Sequence, residues 1–446
     1  MDKVKLKFSN RYLAELIIPL VISTLLANAV GMIDTLMISS LSEACVSGVS
    51  LVDQISILLI NILAALATGG AVVTSQLLGA QKNDTAQKSA KQLIFSGFAI
   101  SLLFGLVCII FNDAIISLCF SKLDTETNAA AVTYLFITAF SYPFIAVENC
   151  CGALFRSFGK SNYCMFSSLI CNIVNITGNA LTIYVLDMGV AGAAISTVAG
   201  RFVGMLLMLI WISGEKSPVK VKIFERFVPD FRLIVRILKI GIPSGLENGV
   251  FQLGRLLVVS LIAEYDLTQT TANAVANNLD SFGVIFGAAM NLAVITLIGQ
   301  CVGAQDFDGI YYYAKKLFAI QYCIGSLFYF STIIFINPIL GWYNLDPQTA
   351  ELARTLVFIH NGIGAFLWPL SFTLPNFLRA ANDVKFTMVV SVASMIICRI
   401  GLSYLLHFTL HLGAIGVWIG MIVDWIFRLI FFVVRFFNGT WKKYCT

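Results

Sequence analysis

The chain has 446 residues, of which 58% are hydrophobic and only 12% are charged, and its formal net charge is +5. The apolar stretches are too long and too numerous for the core of a water-soluble domain. The composition therefore indicates a polytopic helical membrane protein. The eleven cysteines are scattered without a CxxC motif or a Cys/His cluster, which argues against a disulfide framework and a zinc site.

Twelve apolar segments are predicted to cross the membrane, so the expected fold class is all-α. Several exceed the roughly 20 residues that one crossing needs, and tilted or bent helices are expected. The predicted spans are 13–39, 48–78, 92–119, 128–153, 162–186, 190–213, 237–263, 272–302, 316–342, 350–378, 386–408 and 413–437.

The basic residues sort to one side of these spans. Those outside the spans occupy the N-terminus, the even-numbered loops and the C-terminus, whereas the odd-numbered loops hold only Lys122 and, at an edge, Arg354. By the positive-inside rule, both termini are predicted to be cytoplasmic in a multi-pass protein of the cell membrane. The net positive charge is thus explained by topology and does not indicate a nucleic-acid partner.

The chain contains an internal repeat. The matched stretches, each 224 positions apart, are Pro19 and Pro243, QLLGAQ at 76–81 and QCVGAQ at 300–305, and GVAG at 189–192 and GAIG at 413–416. Each repeat holds six helices, an even number, so both halves enter the membrane in the same sense. Parallel repeats around a central cavity are a transporter architecture.

The repeat defines the predicted domains. An N-terminal six-helix lobe covers 1–213, a cytoplasmic linker covers 214–236, and a C-terminal six-helix lobe covers 237–446. The linker interleaves basic and apolar residues, which fits an amphipathic segment on the membrane surface. An ordinary solvated loop explains the same composition equally well.

The first span carries one acid, Asp34, deep in an apolar run that also contains Pro19. An ionised carboxylate in hydrocarbon costs several kcal/mol unless it is paired, hydrated or protonated. Asp34 is therefore a candidate functional residue, and the competing interpretation is a carboxyl group that only holds neighbouring helices together.

These features together resemble the multidrug and toxic compound extrusion (MATE) family. The resemblance rests on the two repeats, the paired prolines, the GAQ segments, and NIVN followed by GVAGAAISTV. It covers almost the whole chain. It implies a twelve-helix transporter that works by cation-driven antiport and alternating access.

One branch of the family, the DNA-damage-inducible (DinF-like) type, carries a polar cluster in its N-terminal lobe. Carried over to this sequence, that cluster falls on Asp34, Asn149, Asn175, Asn179 and Thr197. The family has an aspartate where this chain has Asn179, so one carboxylate is replaced by an amide.

Helix geometry allows most of this cluster to form. At 1.5 Å per residue, Asp34, Asn179 and Thr197 can lie at one depth, and Asn175 is one turn from Asn179 on the same face. Asn149 fits this depth less well. Interhelical hydrogen bonding would explain each asparagine and the threonine without a functional role.

The resemblance implies that Asp34 binds the coupling cation, as a proton acceptor or a sodium ligand, while the amides and Thr197 supply neutral oxygens. A single carboxylate favours the proton. Bends at Pro19 and Pro243 are candidate switch elements.

The expected substrates are organic cations or xenobiotics bound in a central cavity, and a monomer is expected. The alternatives are a flippase for lipid-linked precursors, an exporter of one metabolite, or a receptor or channel.

The C-terminal half departs from the other large branches, which carry an acid well beyond the helix-7 proline and another in helix 10. Here the helix-7 acid is Glu247, beside Asn248, and Arg255 lies two turns on as a candidate neutralising partner. A second polar group combines Asp280 with Asn277. Both sets are candidate C-lobe sites.

We expect no enzymatic activity and no cofactor. The histidine pair His407 and His411 lacks an HExxH pattern, and no GKS or GKT follows the GAQ turns. No metal site is predicted apart from possible sodium binding at Asp34.

Overall fold

The computed structural model describes residues 8–120, 123–214, 221, 227–343 and 345–445. Within these ranges the chain is helical and contains no strand. Eleven helices are long and apolar enough to cross a membrane, and a bent pair forms a twelfth span if it is counted as one. The predicted all-α membrane class is confirmed.

We number the spans α1 to α12 in chain order. They are α1 (Asn10–Ile38), α2 (Glu43–Gly79), α3 (Asn83–Ile110), the bent pair α4a (Thr125–Ala139) and α4b (Tyr142–Ser157), α5 (Asn162–Val185), α6 (Gly189–Ser213), α7 (Phe231–Ile262), α8 (Leu267–Gly303), α9 (Phe307–Ile334), α10 (Pro347–Ala380), α11 (Val384–Leu410) and α12 (Gly413–Phe437).

Two predicted spans run past the ends of the real helices. The predicted span 92–119 joins α3 to a separate short helix, Asn112–Cys119, which begins at the polar pair Asn112 and Asp113. The predicted span 316–342 likewise joins α9 to the short helix Ile336–Gly341. Apolar composition alone does not reveal a break in a helix when the residues on both sides stay apolar.

Packing divides the chain into two compact units, Phe8–Gly245 and Leu246–Thr446, which we call the N-lobe and the C-lobe. Each has its own apolar core. In the N-lobe the core gathers around Ile116, Leu135 and Tyr142, and in the C-lobe around Leu356 and Trp425.

Small residues bring α5 and α6 close together in the N-lobe. A Cβ on Gly200 of α6 would lie 3.0 Å from the carbonyl oxygen of Cys171, and one on Gly192 would lie 2.8 Å from Thr182 Cβ. A Cβ at Gly192 would force a neighbour to shift, and one at Gly200 would be tighter than ordinary packing. The small-residue pattern of GVAGAAISTVAG therefore lets the two backbones approach, as in other membrane helix pairs, and sets the asparagines of α5 against Thr197.

Pro19 and Pro243 lie inside the continuous helices α1 and α7. Each removes one backbone hydrogen-bond donor, and their role as switch elements stays a prediction. The described residues show a sharp bend elsewhere, since α4a and α4b meet at 50° across Phe140 and Ser141.

Much of the predicted linker at 214–236 lies outside the described residues, which omit 215–220 and 222–226. Its last part packs on α3. Phe227 stacks on Phe95 with ring centroids 4.2 Å apart, and Gln92 Nε2 donates to the carbonyl oxygen of Val228 at 2.7 Å.

Candidate functional site

The N-lobe brings Asp34, Asn175, Asn179 and Thr197 together from three helices. Asn179 Nδ2 on α5 donates to Asp34 Oδ1 on α1 at 2.8 Å. The amide of Asn175 lies 3.3 Å from Thr197 Oγ1 on α6. With its oxygen and nitrogen exchanged, the orientation that satisfies both groups, Asn175 Nδ2 lies 2.6 Å from Asp34 Oδ1. The carboxyl group of Asp34 is thus held between two amides.

One oxygen of this cluster is left over. Asn179 is 1% exposed, and its Oδ1 has no hydrogen-bond partner among the residues that the structure describes. A buried amide oxygen without a partner costs free energy. This oxygen is therefore available to coordinate a cation or to accept a hydrogen bond from a ligand.

The cluster lies beside a cavity of about 470 Å³ within the N-lobe. Its polar wall includes Asp34, Asp53, Tyr134, Thr197 and Arg201. Two carboxylates and one guanidinium thus face one space, and the charges of Asp53 and Arg201 both act on Asp34. The cavity has a net negative lining when both acids are ionised.

Asp53, Tyr134 and Arg201 are site residues that the sequence interpretation did not identify. Arg201 follows Thr197 by four positions on α6, so it shares the same helix face. Its Nη1 donates to Ser141 Oγ at 2.6 Å, at the bend between α4a and α4b. The i,i+4 spacing of Thr197 and Arg201 was the pattern that could have revealed it.

Asn149 is not among the residues lining the cavity. It lies on α4b, and its Nδ2 finds no hydrogen-bond partner within the described ranges. Its neighbour Glu148 instead accepts a hydrogen bond from Ser167 Oγ at 2.8 Å. The structure therefore joins four of the five residues carried over from the family.

In the C-lobe, Glu247 is paired with a different arginine from the one predicted. Arg379 Nη2 on α10 lies 2.6 Å from Glu247 Oε1, and Arg379 Nη1 donates to Asn376 Oδ1 at 2.7 Å. Arg255 on the same helix as Glu247 is not its partner. The interpretation of Asn248 as part of a C-lobe site is untested.

The predicted group of Asp280 and Asn277 separates into two. Asp280 Oδ1 faces His360 Nδ1 at 3.4 Å, and His360 Nδ1 lies 2.9 Å from Asn361 Oδ1. Asn277 turns instead toward Asn273, to which its Nδ2 donates at 3.0 Å. Asp424 and Arg428, four positions apart on α12, form an ion pair at 2.9 Å.

The described residues form eleven or twelve helices long and apolar enough to cross a membrane, in a duplicated chain with a polar cavity in its N-lobe, and this is an architecture of polytopic membrane transporters. A family model described as MatE matches residues 19–181 and 243–405. The two matched segments begin and end 224 positions apart, which is the spacing of the internal repeat. The chain belongs to the MatE family.

Two curated relatives match nearly the whole chain. The uncharacterized transporter YisQ of Bacillus subtilis is 29% identical over 95% of this chain and 93% of its own length. The probable multidrug resistance protein NorM of Thermotoga maritima is 24% identical over 97% of this chain and 93% of its own length.

Solved structures share the fold. An outward-facing multidrug resistance MATE family transporter superposes with a TM-score of 0.87 at 19% identity, covering 97% of this chain and 96% of that one. A MOP superfamily transporter from Pyrococcus furiosus, whose description reports a binding pocket of reversed polarity, superposes with a TM-score of 0.86 at 18% identity over 97% of this chain and 96% of its own.

Proposed function

We propose that this chain is a secondary active efflux transporter that exchanges a proton or a sodium ion for small organic molecules, with Asp34 as the coupling carboxylate. The observation that carries the proposal is the position of Asp34. Its carboxyl group is bonded to amides of α5 and at the same time lines a cavity of about 470 Å³.

The hydrogen bonds of Asp34 support a role for its protonation. An ionised carboxylate accepts from an amide nitrogen, whereas a protonated one donates to an amide oxygen. Asn175 can bond to both forms of the Asp34 carboxyl group if its amide rotates by about 180°. The group that it presents to Thr197 then changes from the amide oxygen, an acceptor, to the amide nitrogen, a donor. Protonation at α1 would thereby alter hydrogen bonds to α5 and α6.

The oxygen chemistry of the cluster also suits sodium. Hard cations take oxygen ligands, and Asp34, Thr197 and the unpartnered Oδ1 of Asn179 provide a carboxylate, a hydroxyl and an amide oxygen. Asp53 adds a second negative charge on the same cavity, which favours any cation. Transport under a proton gradient alone and under a sodium gradient alone distinguishes the two ions.

Coupling requires that the bound cation favour one conformation of the N-lobe over another. Because α1 packs against α5 and carries both Pro19 and Asp34, α1 is the element that we propose to respond. In the predicted orientation, with both termini cytoplasmic, its Ile38 end and the cluster lie in the outer half of the membrane.

The proposed cargo is a small organic cation or xenobiotic. A cavity with two acids and apolar walls suits such a molecule, and NorM of Thermotoga maritima is described as a probable multidrug resistance protein. We propose that the chain acts as a monomer in the cell membrane.

The test is ethidium transport by the full chain in proteoliposomes under an imposed proton or sodium gradient. Asp34→Asn should abolish the gradient-driven component, because an amide cannot take up a proton or carry charge. Asp113→Asn, at an exposed residue outside the spans, is the matched control and should transport like the wild type. Undiminished gradient-driven transport by Asp34→Asn would remove the proposal.

A further inference from the structure

A second polar pocket lies in the C-lobe at positions equivalent to those of the N-lobe cavity. Its lining includes Arg255, Val258, Asn277 and Met421. At the repeat spacing of 224, these four correspond in order to Gly31, Asp34, Asp53 and Thr197, which all line the N-lobe cavity. The pocket is therefore the counterpart of the proposed coupling site.

The charge of the C-lobe pocket is opposite to that of the N-lobe cavity. Arg255 and Arg399 line it, and none of its lining residues is acidic. Among the residues that the structure describes, neither arginine forms an ion pair, since the nearby Asp424 is bonded to Arg428. Arginines within a membrane-spanning bundle are costly without a partner and are therefore functional candidates.

A chain of hydrogen bonds orients Arg255. Arg255 Nη2 lies 3.5 Å from Asn277 Oδ1, and Asn277 Nδ2 donates to Asn273 Oδ1 at 3.0 Å. The indole nitrogen of Trp418 donates to the same Asn273 oxygen at 2.9 Å. Asn277, held by Asn273, thus faces an exposed guanidinium, and the described residues give that guanidinium no acid as a partner.

Arg399 is positioned by different means. It lies in a π-helical stretch, Met395–Gly401, and such stretches are frequent at functional sites. Its guanidinium stands 5.5 Å from the ring centre of Phe251, and its buried Nε has no hydrogen-bond partner within the described part of the chain. A donor of Arg399 is therefore available to an acceptor.

We infer that this C-lobe pocket binds an anionic oxygen group, a carboxylate or a phosphate, at one end of a transported molecule. Guanidinium groups bind such oxygens with short, charge-assisted hydrogen bonds. The pocket volume of about 20 Å³ is enough for about one water-sized group, so it admits a single oxygen of the anionic group and excludes the rest of the molecule. The inference rests on the proposed transport function, because it names a chemical group that the cargo carries.

Equilibrium binding of two matched dyes tests this without any gradient. Rhodamine 110 carries a carboxylate, and rhodamine 123 is its methyl ester. In the full-length protein in phosphatidylcholine nanodiscs, Arg399→Gln and Arg255→Gln should each weaken rhodamine 110 binding by about tenfold or more, while rhodamine 123 binding stays within about twofold. Arg399→Lys should retain part of the difference because it retains the charge.

The control is Arg354→Gln, which removes an arginine of the same lobe that is paired with Glu351 at 2.7 Å. It should change neither dye. Phosphatidylglycerol nanodiscs test whether a lipid headgroup supplies the anion. If it does, rhodamine 110 should bind the wild type more weakly in phosphatidylglycerol than in phosphatidylcholine, and Arg399→Gln should remove this difference. Equal binding in the two lipids would identify the soluble molecule as the source. Equal responses of the two dyes to the arginine variants would overturn the inference.

The result of the dye-binding experiment does not depend on the proposed role of Asp34. A protein that prefers rhodamine 110 through its arginines but shows no gradient-driven transport would retain the anion pocket and lose the proposed antiport. The reverse result would retain the antiport and lose the pocket.

Discussion

The N-lobe cavity and the C-lobe pocket occupy equivalent positions in the two repeats, yet they present opposite charges. The N-lobe has Gly31 and Asp53 where the C-lobe has Arg255 and Asn277. Duplication preserves the backbone and the depth of a site, whereas a few side chains decide which ion it attracts. Family membership therefore does not by itself set the charge of the cargo.

The two lobes also differ at a pair of related arginines. In the C-lobe, Arg379 pairs with Glu247. Its N-lobe counterpart by local sequence, Arg156, makes a long contact of 3.9 Å from Nη1 to Cys164 Sγ and no ion pair within the part of the chain that the structure describes. The two lobes thus differ in how they accommodate a related arginine, and variants can test that difference.

The largest expected effect is on stability. Glu247→Gln leaves the partly buried guanidinium of Arg379 without its ion-pair partner, and removal of one member of a fully buried ion pair typically costs about 3–5 kcal/mol, which is the upper bound here. A lower unfolding temperature in detergent should report this loss. Arg156→Gln should have a much smaller effect, and the double variant Glu247→Gln/Arg379→Gln should recover part of the stability. Equal unfolding temperatures for Glu247→Gln and the wild type would contradict the role assigned to the pair.

The next effect concerns the C-lobe pocket. Asn277→Asp gives this position the residue of its N-lobe counterpart, Asp53, and places a carboxylate beside Arg255. Because that carboxylate satisfies the guanidinium, rhodamine 110 should bind about tenfold more weakly, and rhodamine 123 should not. Nanodisc titrations of both dyes measure this, and retained rhodamine 110 binding would show that Arg255 does not hold the anion.

The smallest effect concerns the N-lobe. Asp53→Asn makes the reciprocal exchange and removes one of two carboxylates from the cavity, so ethidium should bind about three- to tenfold more weakly through the lost charge attraction. Gradient-driven transport should persist, since Asp34 remains. Loss of coupling in Asp53→Asn, with Asp113→Asn normal, would instead assign Asp53 the role proposed for Asp34.

Sequence patterns predicted the spans well because apolar length depends on composition alone. They also predicted that Asp34, Asn175, Asn179 and Thr197 can meet, because depth follows from residue count along helices whose direction is known. The family resemblance supplied the choice of residues, and the small-residue pattern of α6 explains how closely its backbone approaches α5.

Partners around the helix axis were harder to predict. Each residue turns the side chain by about 100°, so a boundary error of two residues reverses the predicted face. Arg255, on the same helix, was therefore only a candidate partner for Glu247, and the observed partner, Arg379, lies on α10. Likewise, the contribution of Asp53 to the cavity depends on how α2 is rotated, which hydropathy does not determine.

The most direct test of the central claim is the affinity of the purified full chain for ethidium as pH and sodium concentration are varied. Antiport requires the coupling ion and the cargo to oppose each other's binding, and this linkage is reciprocal. The account predicts that ethidium binds more weakly as protons or sodium ions are added, and that Asp34→Asn removes the dependence. A wild-type affinity insensitive to both ions, or a dependence retained by Asp34→Asn, would contradict it.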